Sequence, residues 1–357
     1  MFYNVLVPSL ENAGPVNMAL EIAQKLKNSG MEVQVYFLSN GRRYSPLAEQ
    51  FNARKLTLVN VWSIRGVLHT HGLRPDLIGS LLKLIRPSLR VMTTIHMHFL
   101  PDTRLLYSRF ISKSAFRLWI WSISRFDRIV CISNAMRRYY ARHRPDLRYD
   151  MIYNFRSKVS ERRRQNSISL WISKQRTKGR FVALFAGAYI SRKNVIQLAK
   201  WGSSSESVSI LFCGQGPLEN ELQSVIRDRD NLLNCGFTDN LSDVFPSVDF
   251  LILPSSSEGL PLVVLEAASA GKPSLMSNIG VHRELARLGL GIVFDHHTFS
   301  DLDDLVGLFR SQDFSSKTRE LVEKAYSVEL SPDKLGDDYV SLISKMTSGS
   351  SSTVPPL

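Results

Sequence analysis

Two consecutive doubly wound α/β domains are the fold class that this sequence predicts. At 357 residues the chain is about twice the length of a typical domain. Short apolar runs alternate with amphipathic stretches, the mark of a parallel sheet with crossover helices. That rhythm breaks after Asn154 in a polar segment and then starts again. One sheet in each half follows, with a ligand expected in the cleft between the two Rossmann-like domains.

In the first half, Tyr3–Pro8, Glu32–Leu38, Val67–Thr70, Arg90–Ile95 and Arg128–Ile132 read as strands. Val16–Asn28 reads as a helix, because Ala19, Ile22, Ala23 and Leu26 fall at three- and four-residue spacing and Gly30 follows its end. The stretch containing Glu161–Ser167 has no apolar period and reads as the interdomain connection, which sets the first domain at residues 1–165. In the second, residues 166–330, the runs Phe181–Ala186, Val208–Cys213, Leu232–Cys235, Phe250–Leu253, Pro273–Met276 and Gly291–Phe294 are strand-like. Helical runs lie between them at Asn194–Trp201, Pro217–Arg229 and Pro261–Ala270. Residues 331–346 read as a last helix, opened by Ser331-Pro332, and residues 347–357, rich in Ser and Pro, as a disordered tail.

Composition bounds the function classes. A 44% hydrophobic and 22% charged content is that of a soluble globular protein. No apolar run reaches the roughly 18 residues a membrane-spanning helix needs. Met1–Pro8 lacks a basic segment ahead of a long apolar one, so it reads as a strand and not as a signal peptide. Cys131, Cys213 and Cys235 are far apart and set in apolar runs, which suits core positions in a reducing compartment. Residues 1–180 carry 31 Lys+Arg against 10 Asp+Glu, a balance of +21, whereas the remainder balances at −8. So uneven a charge points to an anionic surface met by the first half.

The chemistry concentrates in one segment. The apolar run Phe250–Leu253 breaks at Pro254, a small-residue loop follows, and Pro261 is expected in the first turn of an apolar helix. Glu258 in the loop and Glu266 in the helix stand eight positions apart, a little over two helical turns. Amides at the helix start suit a phosphate, and a carboxylate on either side suits hydroxyls. Sugar, diphosphate and ribose have that order in a nucleotide-sugar.

Set in strand, loop and helix, this segment resembles the E-x7-E signature of retaining glycosyltransferases of family 4, which have the GT-B architecture. The resemblance implies that Glu258 holds hydroxyls of the donor sugar as a catalytic residue and that Glu266 holds the ribose. Gly259, Leu260, Leu262 and Val263 would then line the donor site. Gly187-Ala-Tyr-Ile-Ser-Arg-Lys193 resembles the family's G-R-L-x-x-x-K motif at Gly187 and Lys193. Ala188 replaces the family arginine, and Arg192 is the candidate to supply that cation. Two adjacent cations beside a helix start suit a diphosphate leaving group whatever the family.

Weaker matches complete the set. Cys213-Gly214-Gln-Gly216-Pro217 resembles a turn near the nucleotide, and Asn234–Asp239, with Phe237, resembles the loop that contacts the base. Gly14, between first strand and first helix, is what remains of the family's Gly-rich pair, which lets the backbone approach the donor phosphate or the acceptor. Val130–Met136 matches the family's strand-to-helix turn ending in Ser133. His69, His71, His96 and His98 end two strands, and His96 best matches the family's active-site histidine. Asp301-Leu-Asp303 and Asp228-Arg-Asp230 have the D-x-D form of a metal site, but they read as helix-end residues, so no metal or other cofactor is expected.

Leu105–Arg125 is the expected membrane contact. Ile111, Ala115, Leu118 and Trp119 are expected against the sheet, with Arg109, Lys113 and Arg117 on the opposite face beside Phe110, Ile120 and Trp121. The resemblance implies a metal-independent hexosyl- or N-acetylhexosaminyltransferase, UDP-sugars favoured. Its acceptor would be a lipid-linked oligosaccharide of bacterial lipopolysaccharide, O-antigen or capsule synthesis, at the inner face of the cell membrane. A sugar-nucleotide epimerase of the same architecture is an alternative, as is a basic nucleic-acid-binding protein. No basic-aromatic repeat favours nucleic acid as a partner.

Overall fold

Phe181–Ala186 and Val208–Cys213 are almost wholly buried runs, as strands covered on both faces must be, and the other strands of both sheets pair in parallel with them or with one another. The computed structural model describes residues 1–41, 44–104, 107–156, 167–238, 241–295, 302–304 and 316–348. It divides into unit 1, Met1–Phe155 with the segment from Pro332, and unit 2, Arg156–Ser331. Residues 157–166, within the expected connection, lie outside the described residues. So do Leu105, Asp239, Asp301 and the tail from 349.

In unit 1 the strands are β1 (Phe2–Ser9), β2 (Glu32–Ser39), β3 (Arg54–Lys55), β4 (Val67–His71), β5 (Arg90–Ile95), β6 (Arg128–Cys131) and β7 (Asp150–Met151). Their order is β3-β2-β1-β4-β5-β6-β7. The crossovers are α1 (Gly14–Asn28), α2 (Leu73–Ile85), α3 (Phe99–Thr103), α4 (Arg109–Ile123) and α5 (Asn134–His143). Ser108 and Ser133 cap α4 and α5, each hydroxyl accepting from the amide three residues on.

The helix α4 corrects one expectation. Its buried face is Ser112, Phe116, Trp119, Ile120 and Ile123, while Ile111 and Leu118 are half exposed. Trp119 is inward as expected, whereas Ile120, expected on the outer face, is buried. Trp119 Nε1 donates to buried Asp76 at 2.7 Å, and that carboxylate also accepts from Thr70 (2.6 Å) and Thr93 (2.8 Å). Burial pushes Asp76 up to about 6 against the pull of those three donors. With Trp119 turned inward, Phe110, Ile111, Leu118 and Trp121 share the outer face with Arg109, Lys113 and Arg117.

The helix Pro332–Thr347 packs on α1, where Lys25 pairs with Asp333 at 2.5 Å. Its Tyr339 is buried and reaches the hydroxyl of Thr94 on β5.

In unit 2 the strands are β8 (Phe181–Ala186), β9 (Val208–Cys213), β10 (Leu232–Gly236), β11 (Phe250–Leu253), β12 (Ser274–Ser277) and β13 (Gly291–Phe294), ordered β10-β9-β8-β11-β12-β13. The helices are α6 (Ser167–Thr177), α7 (Val195–Ser204), α8 (Glu219–Ile226), α9 (Leu262–Ser269), α10 (Gly280–Arg287) and α11 (Ser316–Glu329). Phe185, Phe212, Phe250 and Ile252 fill the core under α7 and α8. Both units thus present a row of loops at the carboxyl ends of parallel strands, where open α/β sheets bind ligands.

Candidate functional site

In unit 2, glycines bring the β8 and β9 loops together. A Cβ at Gly214 would stand 1.9 Å from the Gly187 carbonyl oxygen, and one at Gly216 would stand 2.6 Å from that of Tyr189. Gly187 itself has φ +151 and leaves room beside the end of the Lys193 side chain. The segment Ser191–Lys193 then turns through Asn194, at φ 52, into α7.

The β8 loop is laced to the β11 loop. Asn194 Nδ2 donates to the Pro254 carbonyl at 2.8 Å, and the Ser256 amide donates to the Arg192 carbonyl at 2.9 Å. Glu258, 8% exposed, accepts from Lys193 Nζ at 2.5 Å and from Arg192 Nη1 at 3.1 Å. Arg192 also donates to the Ser257 carbonyl. Burial alone would raise the Glu258 pKa, but Lys193 and Arg192 outweigh it and hold the carboxylate at about 2. Two cations on one carboxylate leave a net positive charge, which suits an anionic ligand. Arg192 therefore stands with Lys193 on Glu258, while Ala188 is exposed.

Pro261 corrects a second expectation. Its extended ψ of 109° makes it the residue before α9, and the helix begins at Leu262. Gly259 and Leu260 are buried in the loop, and Leu262 and Val263 are half-buried in the first turn. Glu266 faces Arg156, whose Nε lies 3.0 Å from its carboxylate. Burial raises the Glu266 pKa and Arg156 pulls it back. Tyr326 of α11 donates to the Arg156 carbonyl. Arg156 carries no local sequence signal of such a role; it stands at the start of the polar segment after Phe155.

His282 of α10 was also missed. It is fully buried, its Nδ1 lies 2.9 Å from the Ser277 carbonyl, and the Ser277 hydroxyl donates to the carbonyl of Ser255 in the Glu258 loop. Burial lowers His282 to about 4, so it is neutral. At the β10 end, Asn234 Oδ1 accepts from Tyr189 Oη and from the Gly236 amide, both at 2.9 Å, and Phe237 follows half exposed.

Of the D-x-D carboxylates, Asp303 accepts from Ser205, Glu206 and Ser207, and Asp230 pairs with Lys178 and Arg180. Those oxygens fasten the surface of unit 2.

In unit 1, Gly14 is the first residue of α1, and His69, His71 and His96 gather where β4 and β5 end. Tyr3, whose phenol burial keeps protonated, hydrogen-bonds His69 Nδ1, and His69 Nε2 lies 2.8 Å from Thr94 Oγ1. Assigned from that network, Tyr3 donates, and His69 carries its proton on Nε2. His71 Nδ1 lies 2.9 Å from His96 Nε2, and His71 Nε2 is buried with no partner among the described residues. A bare acceptor costs less there than a bare N–H, so His71 donates and His96 holds its proton on Nδ1. Burial lowers His69 to about 3 and His96 to about 4, and it lowers His71 as well. The cluster is neutral.

Two family models cover this chain. Glycosyltransferase Family 4 matches residues 13–156 and Glycosyl transferases group 1 matches residues 169–328. The chain is a family 4-like glycosyltransferase. An O-antigen biosynthesis glycosyltransferase of Escherichia coli, WclY, is 24% identical over 320 residues, 84% of this chain and 86% of the relative. An Escherichia coli UDP-Gal:alpha-D-GlcNAc-diphosphoundecaprenol alpha-1,3-galactosyltransferase is 27% identical over 170 residues, 44% of this chain and 41% of the relative. The crystal structure of Anabaena HepE in complex with UDP has a TM-score of 0.78 at 15% identity, covering 97% of this chain and 100% of that one. The two parallel-sheet Rossmann-like units are those of the GT-B fold.

Proposed function

We propose that this glycosyltransferase moves a hexose or N-acetylhexosamine from a nucleotide-sugar, with UDP-sugars favoured, to a lipid-linked saccharide, retaining the anomeric configuration. The observation that carries the reading is Glu258 with Lys193 and Arg192 on its two oxygens. Lys193 and Arg192 hold the diphosphate, and their charge grows in value as the glycosidic bond breaks and negative charge gathers on the leaving group. Glu258 releases part of its hold on them and accepts from donor hydroxyls, and Glu266 does the same for the ribose. The acceptor hydroxyl attacks on the face the diphosphate leaves, and its proton passes to that phosphate. His96 donates from Nδ1 to the transferred sugar.

The two Escherichia coli relatives support a setting in surface-polysaccharide synthesis with a diphosphate-lipid acceptor. Among the described residues no helix is long and apolar enough to cross a membrane, and the outer face of α4 provides a peripheral contact with the cytoplasmic leaflet. Purified protein incubated with a panel of UDP- and GDP-sugars should release nucleotide slowly without acceptor. No release with any member rejects the reading. Release should persist in excess EDTA, because Lys193 and Arg192 take the role a metal has elsewhere. Loss with EDTA and rescue by Mg2+ would show the opposite.

A further inference from the structure

The segment Thr57–Ser63 of unit 1 places two aliphatic side chains in water on a rigid support. Leu58 is 90% and Val59 86% exposed, and Trp62 is 59% exposed. The loop that carries them is fixed by its own polar groups. The Thr57 amide donates to Asn60 Oδ1 at 2.8 Å, the Asn60 amide donates to Thr57 Oγ1 at 3.2 Å, and Asn60 Nδ2 donates to the Lys55 carbonyl at 2.8 Å. Ser63 donates to the Asn60 carbonyl at 2.7 Å and lies 2.9 Å from Tyr36 Oη. In this arrangement the two aliphatic side chains point away from the sheet.

Its surroundings are apolar and cationic. Arg86, at the end of α2, donates to the carbonyls of Val61 and Ile64. That bond sets the last turn of α2 against the loop, and the outward Leu81, Leu84 and Ile85 are each more than half exposed. On its other flank α2 packs on α4. Along the chain Arg54, Lys55 and Arg65 flank the segment, and no Asp or Glu lies in residues 50–75.

We propose that Leu58 and Val59 insert into the acyl region of an anionic bilayer leaflet, with Trp62 at headgroup level and the outer face of α2 lying on the surface. The proposal rests on the peripheral-membrane reading above and adds to it a second, apolar contact away from the α4 cations. An aliphatic tip in a chain segment that carries cations and no carboxylate matches a leaflet of anionic headgroups over hydrocarbon. An aromatic residue at the polar boundary is the usual third part.

The test uses the full chain with Leu58→Cys in a Cys235→Ser background, since Cys131 and Cys213 are buried, labelled with an environment-sensitive fluorophore. Vesicles of phosphatidylcholine with phosphatidylglycerol should blue-shift the label, and lipids brominated in the acyl chain should quench it. Once bound, the label should stay buried at ~1 M salt, where the screening length is about 3 Å. Leu58→Asp with Val59→Asp should weaken vesicle binding roughly tenfold or more and leave the melting temperature unchanged, since both side chains are exposed. A label that stays in water while the protein is vesicle-bound overturns the proposal alone, and leaves the α4 contact standing. A dimer dissolved by the double substitution, with no vesicle effect, assigns the tip to a second copy and also overturns it. Failure of the wild-type chain to bind any vesicle removes both readings. Burial of the label with undiminished binding by an α4 variant removes only the α4 contact.

Discussion

The two units share one topology and put opposite chemistry at the carboxyl ends of their strands. Unit 1 gathers His69, His71 and His96, desolvated and neutral, while unit 2 gathers Lys193, Arg192 and Glu258, fully charged and paired. Their outer surfaces differ as much. Among the described residues, Leu170, Phe237, Leu321 and Val328 are the exposed large apolar side chains of unit 2, and all the others belong to unit 1. The same α/β frame thus tolerates a charged cluster in a unit with few exposed apolar side chains and a neutral cluster in a unit with many. Fold alone specifies neither.

The largest expected effect on activity lies in unit 2. Glu258→Ala removes a charge-assisted hydrogen-bonding group from the donor site and should lose about 2–4 kcal/mol of transition-state stabilisation, which kcat/KM measures directly. Glu258→Gln keeps the volume and should fall between the two, with circular dichroism confirming the fold. Activity of the alanine variant within about threefold of the parent rejects the assignment.

The outer face of α4 tests the surface half of the comparison. Each cation near an anionic membrane is worth about 1 kcal/mol, so changing Arg109, Lys113 and Arg117 together to Glu should weaken liposome binding by roughly two orders of magnitude. Slow donor hydrolysis should survive, since all three are exposed and far in sequence from Glu258. Equal liposome binding by variant and parent would leave the helix a packing element only.

Acid should separate the units next. A histidine whose folded pKa is depressed gives stability that is present above about 6.5 and lost as the pH falls toward the folded value. His69, at about 3, and His96, at about 4, therefore withdraw support as the pH falls from about 6.5, His96 down to about 4 and His69 down to about 3. Asp76, at about 6, works the other way and returns part of it. At pH 5 the balance is a loss of about 2–3 kcal/mol from unit 1 before His71 is counted. Among the described residues of unit 2, His282 acts in this sense, and Glu258 holds its charge to about 2. Hydrogen exchange at pH 5 against pH 7 should show β4 and β5 losing protection ahead of β8 and β11, and the reverse order refutes the account.

Much of this was legible in the chain. The strands β8, β9 and β11 are apolar runs of ordinary length ended by Gly or Pro, and Glu258 announces itself because it stands in a loop between such a strand and an apolar helix. What escaped is what folding brings together across the sheet. Asp76 under Trp119, Arg156 on Glu266, and His71 on His96 are each separated in sequence by 25 residues or more. No periodicity encodes such pairs. The buried face of α4 escaped for the same reason, since Ile111, Leu118 and Ile120 are equally apolar and only the packing around Trp119 and Asp76 puts Ile120 inside and the other two outside. The strands β3 and β7, two residues each, carry no period at all.

The smallest effect, loss of the Tyr339 hydroxyl, concerns how unit 1 holds its last described helix. Tyr339 lies 3.2 Å from Thr94 Oγ1, which in turn meets His69 Nε2, so a phenol from residues 332–347 closes the polar chain that begins at Tyr3. Tyr339 is fully buried, and its ring also packs tilted against His69. Phenylalanine there keeps the ring contact and deletes one hydrogen bond, a cost of about 1 kcal/mol. Thr94 loses one neighbour but keeps His69, so no buried hydroxyl is stranded and the loss stays near that figure. Tyr339→Ala, by contrast, empties a ring-sized space and should cost about 3–5 kcal/mol. Chemical denaturation of both variants separates the terms: a small shift for Phe and a large one for Ala means that packing holds the helix and the phenol refines it. Equal shifts would mean that the hydroxyl chain, and not the ring, fastens this helix to β5.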